Sequence, residues 1–214
     1  MPADVSEPKH PLDPWEQDWA RHYFRFLRGG QVAVHTSPDA PWSRDAPLRV
    51  LEFAPEPAEP ADDPGDWRYF TIGVSRRPMP YPADWTGARP ERRFELLLFA
   101  REPHQELFRS LAALAGYPFA LGTLLDVGHT IAGNGTGVVE GSPLTEILLL
   151  HPHFMPQDFY LRTHAESAIT HILWVVPVYP AERAFARDQG YRALEARFAA
   201  AGTDAADLWR APIV

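Results

Sequence analysis

Two stretches in the second half of the chain, LTEILLLHP (144–152) and AITHILWVVPV (168–178), are apolar almost without interruption. A strand with one face in water alternates polar and apolar residues, whereas an unbroken run needs cover on both faces. The fold must therefore place other elements on both sides of a sheet. Two more strand patterns, DWRYFTIGVS (66–75) and RRFELLLFA (92–100), lie about twenty residues apart with no room for a clear helix between them. QVAVH (31–35) and LRVLEFA (48–54) add further strands, the second apolar on part of each face.

Three helices are expected to cover this sheet. The first starts at Asp13, a good N-cap, with Pro14 in its first turn. Trp15, Trp19, Tyr23 and Phe26 recur at helical spacing, and Gly29 and Gly30 end it. The second covers 103–115, with Leu107, Leu111 and Leu114 inward and Gly116 as its stop. The third runs from Pro180 to Ala200, with Phe185, Leu194 and Phe198 inward. DAADLW (204–209) reads as a short final turn. GTLLDVGHTIAGNGTGVVEGS (122–142) is glycine-rich and irregular, with room for a short strand near 126–132. Strict alternation of strand and helix is missing. The fold class is therefore α+β (mixed α/β), a mainly antiparallel mixed sheet with about three helices packed on it. Residues 1–12 read as a mobile N-terminal tail and 13–210 as a single domain. Proline-rich loops are expected at 37–47, 54–66 and 77–90.

Composition narrows the chemistry. The 214 residues include no cysteine, which excludes disulfides, thiolate metal sites and a cysteine nucleophile. The net charge is −8 and the pI near 5.5. Such a surface repels a phosphate backbone unless basic residues are concentrated, so nucleic acid is not expected as a ligand. No apolar run approaches the roughly 20 residues of a membrane span, and no basic-then-apolar leader follows Met1. The sequence reads as cytoplasmic, without a membrane partner.

No complete catalytic motif is present. His151 and His153, with His129 from a neighbouring loop, could hold a zinc ion with an open position, which keeps a small metal-assisted hydrolase as an alternative. Satisfied strand-end and loop histidines are the simpler reading, with no metal and no cofactor. AGNGTG (132–137) lacks the lysine and hydroxyl of a phosphate loop and reads as a turn. Glu146, Asp126 and Asp158 could meet in a cleft, and Ser75 or Ser167 could act as a nucleophile, but G-x-S-x-G and H-E-x-x-H are absent. Trp42, Tyr69, Tyr81, Trp85, Phe154, Phe159 and Tyr160 fall in loops or at strand ends, where aromatic side chains serve either as core cover or as protein contacts.

Taken in order, WRYFTIGVS, RFELLLFA, LFRSLAALAGYP…GH, LTEILLLHP and ILWVVPVYPAERAF…GYRAL resemble the suppressor-of-fused domain across roughly residues 15–200. The shared features are Gly73-Val74-Ser75, Phe94-Glu95-Leu96, the Gly128-His129 region, and Glu182 followed by Gly190 and Leu194. In animals this domain is the first half of a Hedgehog-pathway adapter that sequesters a transcription factor, and the partner peptide adds as a strand between two domains. This chain is too short for that second domain, so it resembles the single-domain bacterial version, which is similar to immunity proteins of polymorphic toxins. The animal domain has an acid beside the histidine of its G-D-H loop, whereas this sequence reads Asp126-Val127-Gly128-His129. The resemblance implies a non-catalytic, antitoxin-like protein whose partner is a protein, a toxin domain. Many toxin domains are basic nucleases that acidic residues would steer and cover. Tyr81, Trp85, Tyr117, Asp126, His129, Phe154 and Asp158, in loops near one sheet end, are the candidate partner contacts.

Overall fold

The structure is a computed structural model that describes residues 12–27, 31–37, 47–55, 65–133, 135–163 and 168–214. The tail at 1–11, Gly29 and Gly30, Trp42, Ser167 and most of the loops expected at 37–47 and 54–66 lie outside the described residues.

Helix α1 (Pro14–Phe26) starts where the sequence places it. Asp13 Oδ1 accepts from the Glu16 N–H at 3.0 Å, and Glu16 Oε2 accepts from the Asp13 N–H at 2.9 Å, so two orphan donors of the first turn are satisfied reciprocally. Trp19 and Tyr23 are fully buried. Strands β1 (Gln31–Ser37), β2 (Leu48–Phe53), β3 (Trp67–Ile72) and β4 (Arg92–Ala100) form an antiparallel meander. Helix α2 (Glu106–Leu121) leads to β5 (Thr130–Ile131) and β6 (Glu146–Leu150). A short helix α3 (Gln157–Tyr160), β7 (Leu161–Thr163), β8 (Ile169–Val178), α4 (Pro180–Gln189) and α5 (Tyr191–Ala201) complete the chain.

The strand order is β1-β2-β3-β4-β8-β6-β5, with β7 also paired to β8. The sheet is mixed and mostly antiparallel. Among the described residues β4 and β8 form its one parallel pair, from Arg92 against Ile169 to Leu97 against Trp174. β6 and β7 both run antiparallel to β8, at Leu150 against Trp174 and at Leu161 against His171. They are two collinear pieces of one line, with 151–160 looped out between them.

The two apolar runs sit where their composition requires. β8 is flanked by β4 on one side and by β6 and β7 on the other. One sheet face packs Leu48, Val50, Phe94, Leu96, Leu149 and Leu173 against α2 and the segment after it. The other packs Leu51, Phe70, Leu97 and Ile172 against α1 and Phe159, and Leu148, Leu150, Val176 and Val178 against α4 and α5.

Three helix expectations change, since five α-helices are described rather than three. α2 runs through Gly116 and Pro118 to Leu121, because Ala115 and Pro118 are buried and hold the last turn to the core. A glycine inside a helix costs only about 1 kcal/mol, which burial offsets. The expected third helix is broken at Gly190 (φ 89°, ψ 147°) into α4 and α5. The single turn α3 is an addition to the expected helices, and 204–209 forms turns as expected.

Candidate partner-binding surface

The strand ladder between β3 and β4 ends at Phe70 against Leu97. Beyond it the Thr71 hydroxyl accepts from the Leu96 N–H at 2.7 Å and donates to Glu95 Oε2 at 2.7 Å. Glu95 Oε1 accepts from the Gly73 N–H, the Ser75 N–H and the Ser75 hydroxyl at 3.0, 2.9 and 2.5 Å. Glu95 is fully buried, and burial pushes its carboxyl up to about 7 against the pull of these donors. The carboxylate thus fixes the turn from which the 77–91 loop departs. Ser75 is buried, with its hydroxyl committed to Glu95.

The loop is held at its base. The Met79 N–H donates to Arg92 O at 2.8 Å, and the buried Met79 sulfur accepts from the Leu125 N–H at 3.3 Å. Tyr81 packs partly on the core, and its hydroxyl donates to Pro90 O. Trp85 remains 41% exposed, yet it is fixed. Its indole N–H donates to Ala88 O at 3.0 Å, and its ring lies so close to Gly87 that a Cβ there would stand 3.1 Å from Nε1. Tyr81 and Trp85 form a tilted ring pair at 5.3 Å. The Arg89 guanidinium lies 6.0 Å from the Tyr81 ring centre and donates to Trp85 O. Arg77 stands over Phe119 of α2 at 5.3 Å.

Five of the seven candidate contacts belong to this neighbourhood. Tyr81 and Trp85 touch, Tyr117 packs against the same core from α2, and Asp126 pairs with Arg92 beside the loop's exit. Burial pushes the Asp126 carboxyl up, but the Val127 N–H and Arg92 outweigh that and leave it below the ordinary value. His129 is exposed on the same turn, its N–H donating to Asp126 O at 3.1 Å. Gly128 is fitted against Tyr191, since a Cβ would meet that ring at 2.4 Å. Phe154 and Asp158 lie on the opposite sheet face. Phe154, 59% exposed, stands edge-on to Phe99 and Trp174, and Asp158 pairs with Arg25 of α1 at 3.8 Å. The seven residues therefore do not form one patch.

The alternative chemistries do not assemble. Glu146, Asp126 and Asp158 each face a different arginine: Arg183, Arg92 and Arg25. His151 finds His171, not His129: Nε2 of His151 lies 3.3 Å from Nδ1 of His171. His153 and Tyr160 stand beside the pair, with ring centres 5.7 and 4.7 Å from His151. Burial, then the charges of His171 and His153, push His151 down to about 4, and burial also lowers His171. Among the described residues no group of three or more His, Cys, Asp or Glu is placed to hold a metal ion. Sequence reasoning missed His171 because its partner becomes visible only once β6 and β8 are paired. It missed Arg89 and Gly87 because nothing in a proline-rich loop marks which residues touch.

Residues 44–211, most of the chain, match the model of the Suppressor of fused protein (SUFU) family. The chain belongs to the SUFU family. The family is one of protein–protein interaction. No curated protein sequence matches the chain. Among solved structures it is similar to a SUFU homologue from Neisseria gonorrhoeae, with 19% identity, a TM-score of 0.71 and coverage of 94% of this chain and 97% of that one. A chain from a Sufu–Fu complex is 14% identical, with a TM-score of 0.62 and coverage of 92% and 89%. Drosophila Suppressor of Fused is also 14% identical, with a TM-score of 0.63 over 92% of this chain and 50% of that one. These likenesses confirm the α+β fold. Among the described residues no helix is long and apolar enough to cross a membrane.

Proposed function

We propose that this chain is a non-catalytic protein-binding domain of the immunity type, acting in the cytoplasm by covering the active surface of a cognate toxin. The observation that carries the reading is the 77–91 loop, which spends hydrogen bonds on holding an exposed tryptophan still. Aromatic side chains that are rigid before binding lose little entropy on docking and supply much of an interface's affinity. The family supports a protein partner, and the fold is shared with a bacterial homologue along nearly the whole of both chains. A standard interface needs about 800 Å² from each side. The loop, the end of α2 and the 126–129 turn offer a continuous region for it.

A peptide-binding adapter without a toxin partner is the second reading, favoured by the relative whose structure is a complex with Fu. Co-expression with a toxin encoded beside this gene separates the two. The immunity reading expects wild-type protein to restore growth and Trp85→Ala to restore it poorly. Growth that no neighbouring gene product impairs, or rescue unchanged by every substitution in the loop, removes it.

A further inference from the structure

The protein carries a net charge of −8, yet residues 76–93 hold five arginines (76, 77, 89, 92 and 93) against Asp84 and Glu91, a local balance of +3. Asp13 pairs with Arg76, Glu91 with Arg93 and Asp126 with Arg92, which leaves the exposed Asp84 as the loop's remaining acid. Arg89 makes no ion pair among the described residues; it rests against Tyr81 and donates to the Trp85 carbonyl. Arg77 and Arg89 are both exposed. The loop thus shows a fixed indole edge with the Arg89 guanidinium beside it, on a protein whose net charge is negative. A guanidinium held over a ring keeps its outer N–H groups in a plane ready for a carboxylate.

We infer that the 77–91 loop docks an acidic segment of a partner protein, in which an apolar side chain packs on Trp85 and Tyr81 while a flanking Asp or Glu residue meets Arg89. This rests on the protein-binding reading and specifies its chemistry. A basic partner would meet like charge at this face, which costs affinity and encounter rate. A nucleic acid would find aromatic and cationic groups here but must approach against the net charge of the whole molecule.

The test is a selection of displayed random dodecapeptides on the wild-type protein, followed by affinity measurement of the enriched peptides on Trp85→Ala, Arg89→Glu and wild type at low and high salt. Both variants change exposed side chains, and their melting temperatures report whether the fold is intact. The expected ligands are net acidic with an apolar centre. They weaken by at least about tenfold on each variant and on raising salt, and exchanging their acids for lysine restores binding to Arg89→Glu. Ligands sensitive to Trp85→Ala but indifferent to Arg89→Glu and to salt overturn the acidic assignment and leave the loop as the partner face. Ligands indifferent to both variants, or a selection without binders, overturn the loop itself. A labelled single-stranded oligonucleotide binding in place of peptides overturns both.

Discussion

Two buried carboxylates hold two distant parts of this molecule, and they are satisfied in opposite ways. Glu95 faces only neutral donors, from Thr71, Gly73 and Ser75. Glu182, also fully buried, takes the two arms of Arg210 at 2.7 and 2.6 Å, together with the N–H groups of Tyr179 and Ile213. Arg210 is itself buried and stands over the rings of Tyr179 and Phe198. A cage of dipoles can accept a proton and keep its shape. A buried ion pair cannot lose either charge without leaving the other stranded. The first arrangement builds a turn that presents a loop; the second ties the end of the chain to α4.

The sharpest way to break this contrast is an isosteric swap at each site. Glu182→Gln leaves the Arg210 guanidinium buried without its counter-charge, and the expected loss is about 3–5 kcal/mol in urea unfolding. Glu95→Gln can keep the three donors on Oε1 with its amide oxygen, and the expected loss is about 1 kcal/mol. Equal losses would mean that the two cages work alike.

pH resolves the difference further. The folded protein holds Glu95 near 7, above the 4.5 of a free glutamate, so the native state keeps its proton longer. Its contribution is greatest below about 4.5 and is lost as pH rises through 7. His151 is depressed to about 4 from 6.5, so its neutral form belongs to the fold. Its contribution is present above 6.5 and is lost as pH falls toward 4. The two slopes oppose each other between 4.5 and 6.5. In Glu95→Gln, stability should therefore rise more steeply with pH across that window than in wild type. In His151→Asn it should fall. A Glu95→Gln profile parallel to wild type would show that Glu95 does not titrate there. The smallest effect is expected at Trp85→Ala, within about 0.5 kcal/mol of wild type, because the exposed indole rests on its own loop. A larger loss would make it a structural residue.

Much of this was legible beforehand. The unbroken apolar runs demanded a doubly covered sheet, and β8 lies between strands with helices on both faces. The Asp13 and Pro14 signals placed the start of α1. Gly73-Val74-Ser75 and Phe94-Glu95-Leu96 both stood out as family features, but only the fold shows that they are one hydrogen-bonded unit. Other points were beyond local pattern. Gly116 and Gly190 carry the same symbol, yet one lies within a helix whose far turn is buried and the other bends the chain between two helices. The candidate contacts were gathered as loops near one sheet end, and Phe154 and Asp158 left that group because the 151–160 segment folds back over the face that carries α1. Which charges are already neutralised, the fact that distinguishes Arg89 from Arg92, depends wholly on tertiary neighbours.

The parallel pairing of β4 with β8 has a kinetic meaning. β1 to β4 form from hairpin-like neighbours, whereas the seam of β4 with β8 joins Arg92 to Ile169 across α2 and the β5–β7 segments. Loop-closure entropy must be met before that seam gains anything, so its formation should sit at the top of the folding barrier. Truncating Leu96 or Leu173 should slow refolding in proportion to the stability lost, while truncating Leu194 in α5 should mainly speed unfolding. Chevron plots showing the reverse would place the commitment step in the helices, with the seam closing afterwards.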